Sequence, residues 1–139
     1  MSNIELFDEY TARILAMLYE SFPIRRPLDA VELSGTQIDD YGVPVDVRGK
    51  RSRAFEVCFA TIQWLIDSGY IVSQGDNGYC FAGCVLTARG LEILKSTPDS
   101  LQRKESVGER IVQLIRNGSL DVARDAASAA ISAGIGMLK

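Results

Sequence analysis

The first strong pattern along the chain is helical. Phe7, Tyr10, Ile14, Leu18 and Phe22 recur at helical spacing with Leu15 beside them, and predict an amphipathic helix over residues 4–22. Glu5, Asp8 and Glu9 fall early in it, where the positive end of the helix dipole favours acids, and Pro23 stops it. A short basic connector, "PIRRP", follows. "LDAVELSG" then predicts a brief helix with Asp29 as cap and Gly35 as stop. Residues 36–50 lose the period. Gly42, Pro44 and Gly49 break them up, and they read as a loop with a short extended piece around Val43 to Val47.

From Ser52 to Ser68 the helical signal returns. Phe55, Cys58, Ile62 and Leu65 form one stripe, widened by Phe59 and Ile66, between a capping Ser52 and a terminating Gly69. Val57 and Trp64 fall outside the stripe, so more than half the circumference is apolar, and this helix is expected at the centre of the fold. "YIVSQ" and "YCFAGCVL" alternate like strands, and "GDNG" between them suits a tight hairpin turn. A hairpin alone is marginal in water. Tyr70, Val72, Tyr79 and Phe81 are expected to lay one face over the long helix, leaving Ser73, Gln74, Asp76 and Asn77 at the tip. Thr87 caps a further helix with Leu91 and Leu94 inward, ended by Pro98. After the polar "TPDSLQRKES", Ser106 and Glu109 form a capping box for a helix whose apolar face is Val107, Ile111, Leu114 and Ile115. Asn117-Gly118 turns the chain, and Ser119 caps a last helix rich in Ala, Gly and Ser.

Composition narrows the function classes. The chain has 139 residues, a formal net charge of -3 and no histidine. One domain with an appendage fits that length, and a wholly basic nucleic-acid binder is excluded, although a local basic patch is not. No segment reaches the ~20 apolar residues that cross a bilayer. The acidic, amphipathic start is unlike a secretory signal, so a cytoplasmic location is the expectation. Cys58, Cys80 and Cys84 are too few for a disulfide framework. On a strand, Cys80 and Cys84 would lie ~13 Å apart, beyond bridging reach. Without histidine, neither a zinc site nor a general base of the usual kind is expected. Asp39-Asp40 reads as a solvated turn, no GxxxxGK[ST] loop occurs, and a lone cysteine lacks its activating base. The expectation is a protein that is not an enzyme and carries no cofactor.

Helix, short helix, long helix, two-stranded hairpin, helix: this order resembles a winged helix-turn-helix domain of bacterial type. The residues that carry the likeness are "TIQWLIDSGYIV", then "GDNG", then "LTARGLEIL", within residues 4–96. In that family a helix ends at a glycine, the hairpin forms the wing, and "LT..G...L" opens the next helix. The segment 36–51 is longer than the family's usual turn of about 3–4 residues. The resemblance implies that the start of the long helix faces the major groove of duplex DNA. There "VRGKRSR" offers Arg48, Lys50 and Arg51 for phosphates and Arg53 for a base edge, with Arg25 and Arg26 extending the patch. The alternative is a solvated basic loop offsetting Asp39, Asp40 and Asp46, or a protein contact. The wing tip carries Asp76 and no Lys or Arg, whereas a wing that grips phosphates offers cations. Winged helices also serve as protein–protein modules.

In the tail, Ala123, Ala127, Ala130 and Gly134 form a narrow stripe for close helix approach, and Ile131, Ile135 and Leu138 add bulk. The leading expectation is that this stripe joins two copies or docks a partner, ahead of folding back on its own domain and of membrane contact. The sequence therefore predicts a mainly α fold with a small antiparallel β-hairpin: a winged-helix domain over residues 1–97, and a linker with a two-helix extension over residues 98–139. The leading functional expectation is a non-enzymatic DNA-binding protein, a dimeric regulator. The alternative is an interaction subunit of a larger assembly that docks through its Ala/Gly-rich tail.

Overall fold

Ser2 begins the first helix by accepting the backbone N–H of Glu5 on its hydroxyl at 3.2 Å. The computed structural model describes residues 1–96 and 105–136. The linker, Pro98 and Leu138 lie outside the described residues. Helix α1 (Asn3–Ser21) leads to strand β1 (Arg26–Asp29), a one-turn helix α2 (Ala30–Leu33), strands β2 (Gln37–Ile38) and β3 (Pro44–Val45), and helix α3 (Arg53–Asp67). Strands β4 (Ile71–Val72), β5 (Gly75–Asp76) and β6 (Cys80–Leu86) follow, then helices α4 (Ala88–Lys95), α5 (Val107–Arg116) and α6 (Leu120–Gly136). The fold is mainly α with small antiparallel sheets. The expected order of helix, short helix, long helix, hairpin and helix is present, with β1 and a second hairpin added.

The centre of the fold is α1, not α3. Helix α1 packs against three helices, α3, α5 and α6, and against β6, whereas α3 packs against two, α1 and α2, and against the wing strands. The stripe of large residues in α1 accounts for only one of its buried faces. Ala12 and Ala16, absent from that stripe, are also buried, and small residues there let another helix approach closely.

Helix α6 packs along α1, and this corrects the expectation for the tail. Ala123, Ala127, Ala130 and Ile131 are buried by the chain's own body. Gly134 is buried too, and an added Cβ there would lie 2.5 Å from Ile93 Cδ1 and 2.6 Å from the Tyr70 hydroxyl. The small-residue stripe is thus spent within the molecule, and of the named tail residues that are described only Ile135 stays exposed. Arg89 ties the far end down. Its guanidinium donates to the carbonyls of Ser68 (2.8 Å) and Gly134 (2.9 Å) and to the Tyr70 hydroxyl (3.2 Å), with its charge 4.6 Å from the Tyr70 ring centroid.

The "PIRRP" connector contains an edge strand. β1 pairs antiparallel with β6, which also pairs with β4 and β5. Pro27 is tolerated because β1 lies at the sheet edge. Gly75 and Asp76, expected in the turn, instead pair with Ala82 and Phe81. The bend falls one step later, where Asn77 N–H bonds the Cys80 carbonyl at 3.2 Å and the Asn77 side chain accepts the N–H groups of Tyr79 and Cys80. The hairpin lies on α3, with Phe59 and Phe81 ring centroids 4.6 Å apart.

The expected loop over residues 36–50 holds the β2–β3 hairpin, and Arg51 continues it by bridging to Val45. Asp39 accepts the N–H groups of Tyr41 and Val43, each at 2.9 Å, and so closes the first bend. This small sheet is anchored at both ends. Thr36 and Ser52 hydroxyls share a buried hydrogen bond of 2.7 Å at the head of α3, and the Tyr79 hydroxyl donates to the Gly42 carbonyl from the wing.

Candidate functional site

The basic loop is built by a second aspartate. Asp46 accepts the N–H of Arg48 at 2.8 Å and of Lys50 at 3.1 Å, and Gly49 takes a φ of 77°, open to glycine at little cost. Those two backbone bonds, then the nearby Arg48 and Lys50 charges, hold the Asp46 carboxyl below its usual range. Arg48, Lys50, Arg51 and Arg53 are all exposed, and none is within ion-pair distance of a carboxylate among the described residues. Arg53 is engaged otherwise, its guanidinium donating to the Met1 carbonyl. Arg25 and Arg26 do not join this group. Arg25 donates to the Gly83 carbonyl at 2.8 Å, and Arg26 pairs with Cys84. Both therefore sit at the β1–β6 sheet, whereas Arg48 to Arg53 belong to the loop after β3 and the head of α3. The patch therefore comprises Arg48, Lys50, Arg51 and Arg53.

A different surface lies beside it. Beyond Arg53, the outward positions of α3 are Glu56, Ala60, Trp64 and Asp67, with Gln63 alongside donating to Asp67 at 2.9 Å. This face carries no cation after its first residue. Against the start of α1 it forms an open groove of about 570 Å³, walled by Ile4, Phe7, Val57, Ala60 and Trp64. Ile4 is 65% exposed and Trp64 37% exposed, so both walls of the groove present apolar surface to solvent. Trp64 is nonetheless fixed, edge-on to Phe7 at 5.3 Å and stacked on Tyr70 at 6.0 Å between centroids.

The charge near the groove is acidic. Glu5 and Asp8 lie on α1 and Glu56 and Asp67 on α3, and none of them forms an ion pair among the described residues. Burial, and then the neighbouring Asp125 carboxylate on α6, raise the Asp8 pKa, with Arg124 opposing them. In the sequence, Val57 and Trp64 fall off the buried stripe, which is the available signal for this groove. The partner wall is not legible there, because a groove requires two helices and their relative placement is not local information.

Comparison with family models, with curated proteins and with solved structures finds no match for this chain. Its own geometry therefore carries the functional reading.

Nucleophilic chemistry has little support in that geometry. Cys58 is buried, and burial, with a smaller push from Asp29, raises its pKa to about 12. Cys80 and Cys84 are raised as well, mainly by burial. A nucleophilic cysteine needs the opposite shift, toward thiolate. Among the described residues no group of three or more metal-ligating side chains gathers, and no helix is long and apolar enough to cross a membrane.

Proposed function

We propose that this chain is a non-enzymatic interaction subunit, a winged-helix adaptor that works in the cytoplasm inside a larger assembly. One observation carries the reading: the outward face of α3 is apolar and acidic beyond Arg53, and it opens into a groove walled by Ile4, Phe7, Val57, Ala60 and Trp64. A helix that reads base edges works inside a field of phosphates, and carboxylates such as Glu56 and Asp67 are repelled there. The wing tip adds no cation to offset them, since it carries Asp76 and Asn77. The docking surface is the α1–α3 groove rather than the tail stripe, which α1 already covers.

A second reading, a DNA-binding dimeric regulator, is favoured by one specific observation. Arg48, Lys50, Arg51 and Arg53 cluster at the head of α3 without carboxylate partners among the described residues. Both readings are tested on the full chain. A tagged copy expressed in its native cells is expected to purify in a stoichiometric protein complex, measured by light scattering. The reading is overturned if the chain runs alone and binds duplex DNA, with an affinity that falls by about 0.9 log units per phosphate contacted for each log unit of salt. Replacing Lys50, Arg51 and Arg53 together with Ala would then abolish that binding.

A further inference from the structure

We infer that the groove between the start of α1 and the middle of α3 receives a cationic amphipathic helix from a partner protein. This rests on the interaction-subunit reading and deepens it by naming the chemistry of the occupant.

The shape comes first. Two helices wall the groove, and Ala60, between Glu56 and Trp64 on the outward face of α3, keeps it open. A docking helix presents apolar anchors at i, i+3 or i+4, and i+7 to such a trough. Trp64, held between Phe7 and Tyr70, is a preformed aromatic anchor of the kind that dominates interface energetics.

Charge decides among occupants. Glu56 and Asp67 flank Ala60 and Trp64 on α3, and Glu5 and Asp8 neighbour Ile4 and Phe7 on α1. The cation on this face of α3, Arg53, sits at its first position, one turn before Glu56 and away from Trp64 and Asp67. Nucleic acid and anionic lipid would meet carboxylates there. A second copy docked by two-fold symmetry would set the same acidic rim against itself. Lysines or arginines flanking an apolar stripe would instead meet the exposed Glu56 and Asp67 along the α3 wall.

The test uses the full chain and the fluorescence of Trp64, its one tryptophan. Two synthetic peptides carry the same leucine stripe at helical spacing, one flanked by lysines and the other by glutamates. The lysine peptide is expected to shift the emission saturably, and the glutamate peptide to bind at least roughly tenfold more weakly, as like charges oppose it. Glu56→Lys with Asp67→Lys should reverse that preference. Ala60→Arg should abolish binding, and Ile4→Ser, at an exposed position that leaves the core intact, should weaken it. Equal binding of both peptides overturns the cationic partner while leaving the interaction-subunit reading standing. No emission change with either peptide, or binding that survives both Ala60→Arg and Ile4→Ser, overturns the groove as a helix dock. The purified complex from native cells then decides the broader reading separately.

Discussion

Replacing Gly134 with Ala separates two roles for the tail by the sign of the stability change. Glycine inside a helix is less favourable than alanine by about 0.5–1 kcal/mol. On a tail helix whose small-residue face is free for a partner, Gly134→Ala would therefore stabilise the isolated chain. In the packed arrangement the new Cβ lies 2.5 Å from Ile93 Cδ1, 2.6 Å from the Tyr70 hydroxyl and 2.8 Å from Tyr70 Cε1. The Ile93 methyl can swing aside. The Tyr70 ring cannot do so cheaply, because it is 1% exposed, stacks on Trp64 and donates its hydroxyl to the Ile131 carbonyl at 3.2 Å.

Overpacking of this kind costs about 1–3 kcal/mol, and a weakened buried hydrogen bond adds about 1 kcal/mol. These terms exceed the propensity gain, so the expected result is a net loss of about 1–3.5 kcal/mol, or about 3–14 °C in Tm. Urea unfolding followed by Trp64 emission measures it, because the ring stacked on Trp64 is the one displaced. Repeating the measurement at two protein concentrations separates a monomer effect from association. A variant more stable than the parent would refute the packing of α6 along α1.

Two further outcomes follow from the same contacts. Arg89→Met keeps much of the stem's packing but removes the donors to Ser68, Tyr70 and Gly134, and is expected to cost about 2–4 kcal/mol and loosen α6, seen as faster amide exchange there. Cys58 keeps its proton to about pH 12 in the folded chain, against an ordinary thiol pKa near 9, so its contribution to stability is whole below pH 9 and is lost as pH rises from 9 toward 12. Cys58→Ala should flatten the stability–pH curve in that window by up to about 1.4 kcal/mol per pH unit, and equal slopes in both proteins would refute it.

The parts of the fold legible in the sequence were those written in local chemistry. Asp29, Ser52, Thr87 and Ser106 each accept backbone N–H groups at a helix start, and each bond joins residues within one turn. The strands that escaped notice depend on distant partners. Arg26 becomes sheet because Cys84, far along the chain, lies opposite, and in the nearer hairpin Gln37 is sheet because the extended piece at Val45 folds back on it. Asp39 reads as a turn residue and does close a bend, whereas Asp46 reads as a charge offsetting the basic loop, yet it closes a second bend through its carboxylate. The centre of the fold was misplaced for a related reason. Large apolar residues dominate periodicity, whereas Ala12 and Ala16 define the α1 face that closes the molecule by being small.

The basic loop stood out in the sequence because its cations are adjacent in the chain, and folding leaves four of them together while Arg25 and Arg26 fall elsewhere. About four phosphate contacts supply attraction without sequence information, which typically corresponds to non-specific dissociation constants of about 10⁻⁴–10⁻⁶ M at physiological salt. Tighter, specific binding needs base-edge contacts worth about 1–3 kcal/mol each, and α3 offers Arg53 for these before Glu56 and Asp67 turn its face acidic. The groove starts from a stronger position. Trp64 and Ile4 already stand in water, so covering them regains about 25 cal/mol for every Å² of apolar surface removed from solvent, with Trp64 already held in place by Phe7 and Tyr70. A surface that is apolar, held in place and flanked on α3 by Glu56 and Asp67 gains most from a partner that brings both an apolar stripe and positive charge, and duplex DNA brings neither.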